Sequence, residues 1–333
     1  MAVEIISFNC RGLQDNFKRK KLFSFFHEKK YDVLFLQETH SQAGDENLWK
    51  TQWGGQACFC SFSSKSRGVA ILFKPSLNLK ILSCISDEEG RYIILQIEMD
   101  NSVFILVNVY GPNEDNPDFF IEVFEKLGEL GSSNIIFAGD LNIALGPMDY
   151  KGSRNQHRNV HAKEMFNLFA EDFNLVDVWR RDHEKEYGFT RHQQNPTVFS
   201  RIDYIFVSSD LISMVKQSDI QVGICSDHAV VSLTLLLGHP PRGRGYWKCN
   251  CDYLRHDAEF CIFIKEKIKE FKEIHSSASS EQNPNIIWDT FKCYITGFCI
   301  EYSSRKKKER NKTKDNLLKQ ISELKHKLSQ CPK

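Results

Sequence analysis

Polar side chains suited to acid–base or metal chemistry recur at the ends of short, apolar, strand-like runs. The set comprises Asn9, Glu38, Tyr110, Asp140, Asn142, Asp203, Asp227 and His228. Taken singly, such a residue is more often a turn or helix-cap residue than a catalyst, so the argument depends on the series. Because strand ends in layered α/β folds converge on one edge, we expect the set to form one site.

These residue types fit the hydrolysis of a phosphodiester with the help of a metal. A hard divalent cation prefers carboxylate and amide oxygens, a general base must deprotonate water, and donors must neutralise the charge on the phosphate. A protonated His228 would supply such a donor, and a carboxylate partner such as Asp203 would raise its pKa and fix its tautomer. The residues by themselves do not specify the substrate.

The elements that would position these polar residues are strand-like stretches that alternate with amphipathic, helical stretches. Strand patterns cover residues 3–9, 32–37, 68–73, 92–98, 103–110, 134–138, 202–207 and 230–237, and helical patterns cover 17–28, 117–128 and 161–171. Several consecutive strands lack an intervening helix, which favours mixed sheets over a purely parallel sheet. We therefore predict a layered α/β domain over residues 1–238.

A stretch rich in Gly and Pro, residues 238–245, predicts a domain boundary after residue 238. In residues 239–333 the pattern changes to helices, predicted at 258–274 and 286–301. An apolar helical stripe follows in the final segment, formed by Leu317, Ile321, Leu324 and Leu328. We predict a helical C-terminal extension.

The net charge of +1 hides an uneven distribution. Residues 1–238 hold 24 Lys/Arg against 31 Asp/Glu, whereas residues 305–333 hold 11 against 3. A basic tail can add sequence-independent affinity for phosphates, although a solvated charged helix has the same composition. The basic run 305–310 also fits a nuclear localisation signal.

The cysteines and the hydropathy indicate an intracellular protein. The chain has 11 cysteines, an odd number, and most lie in apolar strand-like or helical runs: Cys10, Cys84, Cys225, Cys261, Cys293 and Cys299. We expect buried thiols in a reducing compartment. No apolar run reaches the ~18 residues of a membrane span, and the N-terminus does not have the pattern of a signal peptide.

Six strings, in order and spacing, resemble the endonuclease/exonuclease/phosphatase superfamily. They are Ser7-Phe8-Asn9-Cys10-Arg11-Gly12-Leu13, Leu36-Gln37-Glu38-Thr39-His40, Asn108-Val109-Tyr110-Gly111-Pro112, Gly139-Asp140-Leu141-Asn142, Ser200-Arg201-Ile202-Asp203-Tyr204 and Ser226-Asp227-His228. The resemblance covers nearly all of residues 1–238. It implies a four-layered α/β sandwich, with two mixed sheets face to face and helices outside, and a Mg²⁺ cofactor that Mn²⁺ can replace.

The resemblance also implies a metal site. Glu38 looks like the principal ligand, with Asn9 beside it and Asp227 near enough to hold or adjust the ion. A two-metal version would add three ligands: Asp140, Asn142 and His228. Both versions stay open at this point.

The catalytic roles follow from the same resemblance. Asp140 looks like the group that orients or deprotonates the attacking water. Asn142 and His228 resemble a phosphate-stabilising pair, Asp203 a carboxylate supporting His228, and Tyr110 a donor to the phosphate or the leaving oxygen.

A narrower resemblance points to the apurinic-endonuclease-like nuclease of LINE-type retrotransposons, at the start of their second open reading frame. Gly188-Phe189-Thr190-Arg191 and the string from Ser200 to Ile205 carry it. It implies DNA contacts from Arg11, Thr190, Ser200 and Arg201. Residues 244–250, Trp288-Asp289 and the basic run 305–308 resemble the segment that leads to a reverse transcriptase, whose Asp-Asp signature this sequence lacks.

The function implied is nicking of double-stranded DNA in retrotransposition, leaving a 3′-hydroxyl, with element RNA or a reverse-transcriptase module as further partners and a nuclear location. An abasic-site repair nuclease of the same superfamily shares every catalytic string. Two further functions fit the same fold: a catalytically idle nucleic-acid-binding remnant and a small-molecule phosphatase.

Overall fold

Fifteen strands and five α-helices make up the described part of the first unit in the computed structural model. The strands are β1 Ala2–Asn9, β2 Val33–Gln37, β3 Ala57–Cys60, β4 Val69–Phe73, β5 Lys80–Ser86, β6 Tyr92–Met99, β7 Ser102–Tyr110, β8 Ile135–Asp140, β9 Tyr150–Gly152, β10 Leu175–Asp177, β11 Arg191–Gln193, β12 Val198–Ser200, β13 Asp203–Ser208, β14 Val215–Gln221 and β15 Val230–Leu236. The helices are α1 Asn16–Lys29, α2 Glu46–Trp53, α3 Pro117–Gly128, α4 Val160–Asp172 and α5 Val178–Asp182.

The structure describes residues 1–131, 134–152, 159–193, 198–237, 249, 252–276 and 284–330. Contacts divide the chain into two units, Met1–Pro241 and Arg242–Lys333. The predicted boundary stretch 238–245 lies outside the described residues, as does most of the segment 244–250.

Two six-stranded mixed sheets form the first unit. Sheet A has the order β14-β15-β1-β2-β4-β3, and sheet B has the order β10-β13-β8-β7-β6-β5. Each sheet contains one parallel pair, β1 with β2 and β7 with β8, between antiparallel neighbours. A small third sheet joins β11, β12 and β9.

Alternation along the strands explains the layers. On β1, Ile5 packs into the cluster between the sheets, whereas its neighbour Ile6 packs into the cluster with α1 and α2. On β7, Leu106 and Val107 divide in the same way, with Val107 in the cluster with α3 and α4. Since successive side chains of a strand point to opposite faces, both sheets are covered on both sides. The predicted four-layered sandwich is confirmed.

Local signals set the ends of the outer helices. The Asp15 carboxylate caps α1 by accepting a hydrogen bond from the Lys18 amide, and the helix stops at Lys30, which has a left-handed φ of 62°. Asn116 caps α3 in the same way, and Pro117 occupies its first turn.

The sequence analysis did not predict seven of the strands: β3, β5, β9, β10, β11, β12 and β14. The strand β14 carries Lys216, Ser218 and Asp219, so its apolar content is low. The strands β3, β5 and β14 all lie at or beside a sheet edge, where one ladder side is unpaired and polar residues are tolerated.

The second unit is helical, as the pattern of residues 239–333 predicted. It contains α6 Asp252–His256, α7 Ala258–Ser276 and α8 Pro284–Gln330. Phe260, Ile264 and Tyr302 form its core, and Glu259 pairs with Arg305 and Lys306. The two helical patterns after residue 284 form one continuous helix. Among the described residues, no helix is long and apolar enough to cross a membrane.

The expectation that the cysteines are buried is wrong for several of them. Cys84, Cys225 and Cys293 are exposed and Cys261 is half-buried, whereas Cys10 and Cys299 are buried. Apolar neighbours in the sequence did not predict whether a cysteine side chain points into the core or toward solvent. Cys84 lies on an edge strand, Cys225 in a loop with φ of 57°, and Cys293 on the long helix α8.

Candidate active site

Strand ends from both sheets meet at one edge of the sandwich. Asn9 ends β1 and Glu38 follows β2, while Tyr110 ends β7 and Asp140 ends β8. The strands β13 and β15 run antiparallel to these neighbours, so the start of each lies at the same edge. They bring Asp203, which pairs in register with Asp140, and His228, which lies two residues before β15.

Asn9 links the carboxylates of the two sheets. Its amide nitrogen donates to Glu38 Oε1 and to Asp140 Oδ2, with 2.9 Å in each case. Asn9 Oδ1 accepts from the Arg11 amide at 3.0 Å, which sets the orientation of the side-chain amide. Two carboxylates and one amide therefore lie in direct contact, as the sequence predicted for a shared site.

Glu38 is held as a carboxylate. Burial alone would raise its pKa, but hydrogen bonds from His40, Asn9 and Tyr110 outweigh burial and lower the pKa to about 2. Both Glu38 and His40 have left-handed backbone angles, with φ of 46° and 54°. Such a backbone is uncommon for residues with a side chain and recurs at functional sites.

His228 and Asp203 form a buried pair. His228 Nδ1 lies 2.8 Å from Asp203 Oδ2, and Nε2 lies 3.9 Å from Asp140 Oδ2. Burial opposes protonation of the imidazole, yet the charges of Asp203 and Asp140 raise the pKa of His228 to about 9. The ring is therefore held with Nδ1 toward Asp203 and Nε2 toward the site.

Asp140 occupies the centre of these contacts. Its Oδ1 accepts the Asn142 amide hydrogen at 2.9 Å, and the Asn142 side chain donates to the Gly111 carbonyl at 2.9 Å. Burial and the neighbouring Asp203 raise the pKa of Asp140, which gives this carboxylate an affinity for a proton. Burial and the Glu38 charge raise the pKa of Tyr110, which keeps its hydroxyl protonated.

Close approach of β7 and β8 needs a glycine just before Asp140. A Cβ on Gly139, whose φ is +151°, would lie 2.0 Å from the Val109 carbonyl oxygen. The Gly-Asp pair in the sequence therefore reflects packing as well as chemistry.

The donor set fits a hard divalent cation. The carboxylates of Glu38 and Asp140 both lie against the Asn9 amide nitrogen, and carboxylate oxygens of this kind suit Mg²⁺. Oδ1 of Asp227 is buried and, among the described residues, has no hydrogen-bond partner; it lies 3.4 Å from Arg11 Nη1. A buried carboxylate oxygen left in this state favours an additional cationic partner.

A second grouping overlaps the first. One ligand atom each from Asp140, Asp203 and His228 can be chosen so that all lie within 4.8 Å of one another. Since Asp203 and His228 already bond each other, this grouping is compatible either with a positioned imidazole or with a second metal.

The four predicted DNA contacts divide into two groups. Arg11 is exposed and Ser200 is half-buried, so both side chains face or approach solvent. Thr190 and Arg201 are each 2% exposed, and their polar atoms bond inside the protein. The expectation that Thr190 and Arg201 contact DNA directly therefore does not agree with the structure. Both side chains instead hold neighbouring protein segments in place.

Arg201 is enclosed by acidic and aromatic partners. Its guanidinium bonds Asp149 at 2.7 and 3.0 Å and Asp177 at 2.7 Å, and it lies over the rings of Trp179 and Tyr204. The network fixes the start of β13, because Arg201 lies two residues before Asp203.

We expect Arg201→Met to destabilise the first unit by about 3–5 kcal/mol, because the buried Asp177 carboxylate would lose its ion-pair partner and Asp149 would keep only Arg180. Chemical denaturation measures the change. Arg181→Met is the matched control: Arg181 pairs with Asp182 at 2.7 Å near the surface and should cost at most about 1 kcal/mol. Equal effects of the two substitutions would contradict this account.

Thr190 connects the strands that carry Asp203 and His228. Its hydroxyl oxygen accepts the amide hydrogens of Ile202 and Asp203 at 3.1 and 3.2 Å. Its carbonyl accepts the Ala229 amide hydrogen at 2.7 Å. Thr190 is thus a positioning residue for the buried pair.

Replacing Thr190 by Val should lower kcat roughly 10-fold or more with little change in KM, because two amides at the start of β13 lose their acceptor and Asp203 shifts. Thr190→Ser keeps the oxygen and should keep most of kcat. Steady-state kinetics on a phosphodiester substrate measure both. A rise in KM without loss of kcat would instead favour substrate contact.

Several residues of the site had no role in the sequence analysis. His40 Nε2 lies 3.6 Å from Glu38 Oε2, and Arg191 Nε lies 3.8 Å from Asp227 Oδ2. Gln37 Nε2 donates to Asn108 Oδ1 at 2.7 Å and so joins the two sheets beneath the site. All of them lie inside recognised strings, and for Gln37, His40 and Asn108 a polar character in an otherwise buried run was the available signal.

The comparisons with known proteins agree with this fold. The model of the Endonuclease/Exonuclease/phosphatase family matches residues 6–228. A transposon TX1 protein of Xenopus laevis, described as an uncharacterized 149 kDa protein, is 29% identical over 99% of this chain; the chain spans 25% of that relative's length. An exodeoxyribonuclease of Bacillus subtilis is 27% identical over 70% of this chain and 99% of its own.

A solved structure shows the same fold. The crystal structure of an AP endonuclease from Leishmania major superposes with a TM-score of 0.61 at 22% identity, covering 72% of this chain and 88% of that one. The predicted resemblance to an apurinic-endonuclease-like nuclease encoded by a transposable element is confirmed. The chain belongs to the endonuclease/exonuclease/phosphatase family.

Proposed function

We propose that this chain is a Mg²⁺-dependent endonuclease that hydrolyses phosphodiester bonds of double-stranded DNA. The observation that supports it most is the continuous contact from Glu38 through Asn9 and Asp140 to the His228–Asp203 pair. In the proposed roles, a metal-type oxygen site, a proton acceptor and a cationic donor lie side by side. Those three groups are what hydrolysis of a phosphodiester requires.

Glu38 and Asn9 would hold the ion, with Asp227 near it. A bound Mg²⁺ supplies Lewis acidity at a phosphate oxygen and withdraws the charge that builds up there. Asp140 accepts the proton of the attacking water, since its raised pKa gives it the necessary basicity. In the two-metal version, Asp140, Asn142 and His228 would be ligands.

His228 faces the site as a cation. Its Nε2–H donates to a non-bridging phosphate oxygen, and Asp203 keeps the ring protonated and oriented through Nδ1. Asn142 adds an amide donor, and the Tyr110 hydroxyl, held protonated, donates to the phosphate or to the leaving oxygen. The reaction would leave a 3′-hydroxyl.

Exposed basic groups beside the site would contact the DNA backbone. Arg11 and Arg191 both approach Asp227, with side chains 65% and 41% exposed, and Ser200 on β12 pairs in register with Arg191 on β11. Contacts of this kind add affinity that falls as salt rises. Thr190 and Arg201 act here by positioning Asp203.

The biological setting we propose is target-DNA nicking in retrotransposition. The similarity to the transposon protein extends over 99% of this chain, beyond the matched family residues 6–228, which favours this branch. Element RNA and a reverse-transcriptase module are the proposed partners, and the nucleus is the proposed location. The exodeoxyribonuclease relative, covered over 99% of its length, supports DNA as the substrate, and a repair nuclease acting at abasic sites is the second candidate.

Purified protein should nick supercoiled, undamaged plasmid with Mg²⁺, and EDTA should abolish the nicking, because the carboxylates then lack the ion that they hold. Gel electrophoresis of the plasmid and of an oligonucleotide with one abasic site measures the two activities. Cleavage confined to the abasic site would select the repair function. Intact DNA in every condition would contradict both nuclease proposals.

A further inference from the structure

Two thiols face the space between the sheets at one edge of the sandwich. Cys58 lies on β3, the edge strand of sheet A, and Cys84 lies on β5, the edge strand of sheet B. In the strand registers, Cys58 pairs with Ile71 and Cys84 pairs with Leu95. Ile71 and Leu95 both belong to the core between the sheets. Because directly paired residues point to the same face, both thiols point inward.

An irregularity in β5 gives Cys84 this orientation. The register of β5 with β6 shifts between Ile81 and Ser83. Ile81 packs on the core between the sheets, whereas Ile85 packs on the cluster outside sheet B. Strict alternation would put both isoleucines on one face and Cys84 on the other. The bulge reverses the alternation and turns Cys84 toward sheet A.

The two thiols interact with each other. The interaction lowers the pKa of Cys84 to about 7 and raises the pKa of Cys58 well above its usual range. A thiolate is the reactive form of cysteine, and Cys84 is exposed to solvent. Cys84 is therefore an accessible nucleophile, and the strand registers direct Cys58 into the same space between the sheets.

A third thiol nearby has a different environment. Cys60 also points into the core between the sheets, but its sulfur donates to Asp87 Oδ1 at 3.0 Å and it is buried. Burial and the Asp87 carboxylate raise the pKa of Cys60 above its usual range. Cys60 should stay an unreactive thiol, so it serves as an internal comparison.

We propose that Cys58 and Cys84 are a redox modification site, which a hydroperoxide converts into a disulfide that joins sheet A to sheet B. The Cys84 thiolate attacks the peroxide, the O–O bond breaks, and Cys84 becomes a sulfenic acid while one water leaves. Cys58 sulfur then displaces the sulfenic oxygen, which leaves with the Cys58 proton as a second water. Two thiols lose two electrons and two protons, and hydrogen peroxide is reduced to two waters.

The crosslink would constrain a segment that supports the candidate active site. Between the two cysteines, the carbonyls of Arg67 and Gly68 accept the amide hydrogens of His40 and Thr39, which follow Glu38. The closed loop of about 26 residues reduces the conformational freedom of the unfolded chain, so oxidation should raise the melting temperature by roughly 5 °C. The inference does not depend on the proposed nuclease activity.

The test treats the full chain with a few equivalents of hydrogen peroxide and maps peptides by mass spectrometry without reduction. We expect the Cys58 peptide linked to the Cys84 peptide, release of the link by dithiothreitol, and the higher melting temperature in the linked form. In Cys58→Ser, a dimedone probe should label Cys84 as the trapped sulfenic acid. In Cys84→Ser, Cys58 should remain unlabelled.

Cys293→Ser, which removes an exposed thiol on α8, should form the link as the natural chain does. Melting curves of the reduced variants within about 2 °C of the reduced natural chain would show that serine leaves the fold intact. Oxidation of Cys84 to sulfinic acid without a link, or a link from Cys84 to Cys60, would overturn the proposal.

Discussion

Asp140→Asn is expected to lower kcat/KM for plasmid nicking by roughly 10²–10⁴-fold, the range over which a positioned general base contributes. Asparagine keeps the volume of the side chain and one acceptor oxygen for the Asn9 or Asn142 donor. It removes the negative charge and the site that takes the proton from water. Single-turnover rates at saturating Mg²⁺ measure the loss.

The same substitution should not lower the free energy of unfolding. Burial and the Asp203 charge raise the pKa of Asp140, so the folded protein holds this carboxylate under repulsion that an amide relieves. Thermal melting should be unchanged or higher while nicking is lost. Asp172→Asn, at the exposed end of α4, is the control and should leave both unchanged. A destabilised but active Asp140→Asn would reject Asp140 as the base.

The sequence carried enough information for the framework of this site. Strands β1, β2, β7 and β8 are nearly continuous apolar runs, because both of their faces are buried. A polar residue of the site ends β1, β7 and β8, and one directly follows the last residue of β2. The end of such a run therefore locates Asn9, Glu38, Tyr110 and Asp140 at one edge. The contact of Asn9 with both Glu38 and Asp140 agrees with that reasoning.

What the sequence could not supply is the set of partners. Arg201 belongs to a string that looks like a surface motif, yet its partners Asp149 and Asp177 are distant in the chain, and burial follows from that pairing. The face of sheet B toward which the Cys84 side chain points depends on one β-bulge in β5. The alternation of residues along a strand cannot reveal such a bulge from the sequence. The basic run 305–310 reads as free charge in sequence, although Arg305 and Lys306 pair with Glu259.

The buried pair offers the second large effect. His228→Gln is expected to lower the nicking rate by roughly 10²–10³-fold, because it removes the cation that faces the phosphate. Asp203→Asn should also slow nicking severely, since Asp203 is the charge that raises the pKa of His228 to about 9 and holds its tautomer. Both substitutions therefore act by removing or weakening the same positive charge, that of the His228 imidazole.

The double variant Asp203→Asn/His228→Gln should therefore lose little more than His228→Gln alone, because residues that act as a unit are not additive. The matched control is the surface pair Asp115/His161, which has the same 2.8 Å Nδ1–carboxylate contact with a His161 side chain 75% exposed. Its single and double replacements should change the nicking rate by less than about twofold. If the losses at Asp203 and His228 multiplied, each residue would have to contact the phosphate or the metal independently, which is the behaviour expected of two ligands rather than of a cation and its support.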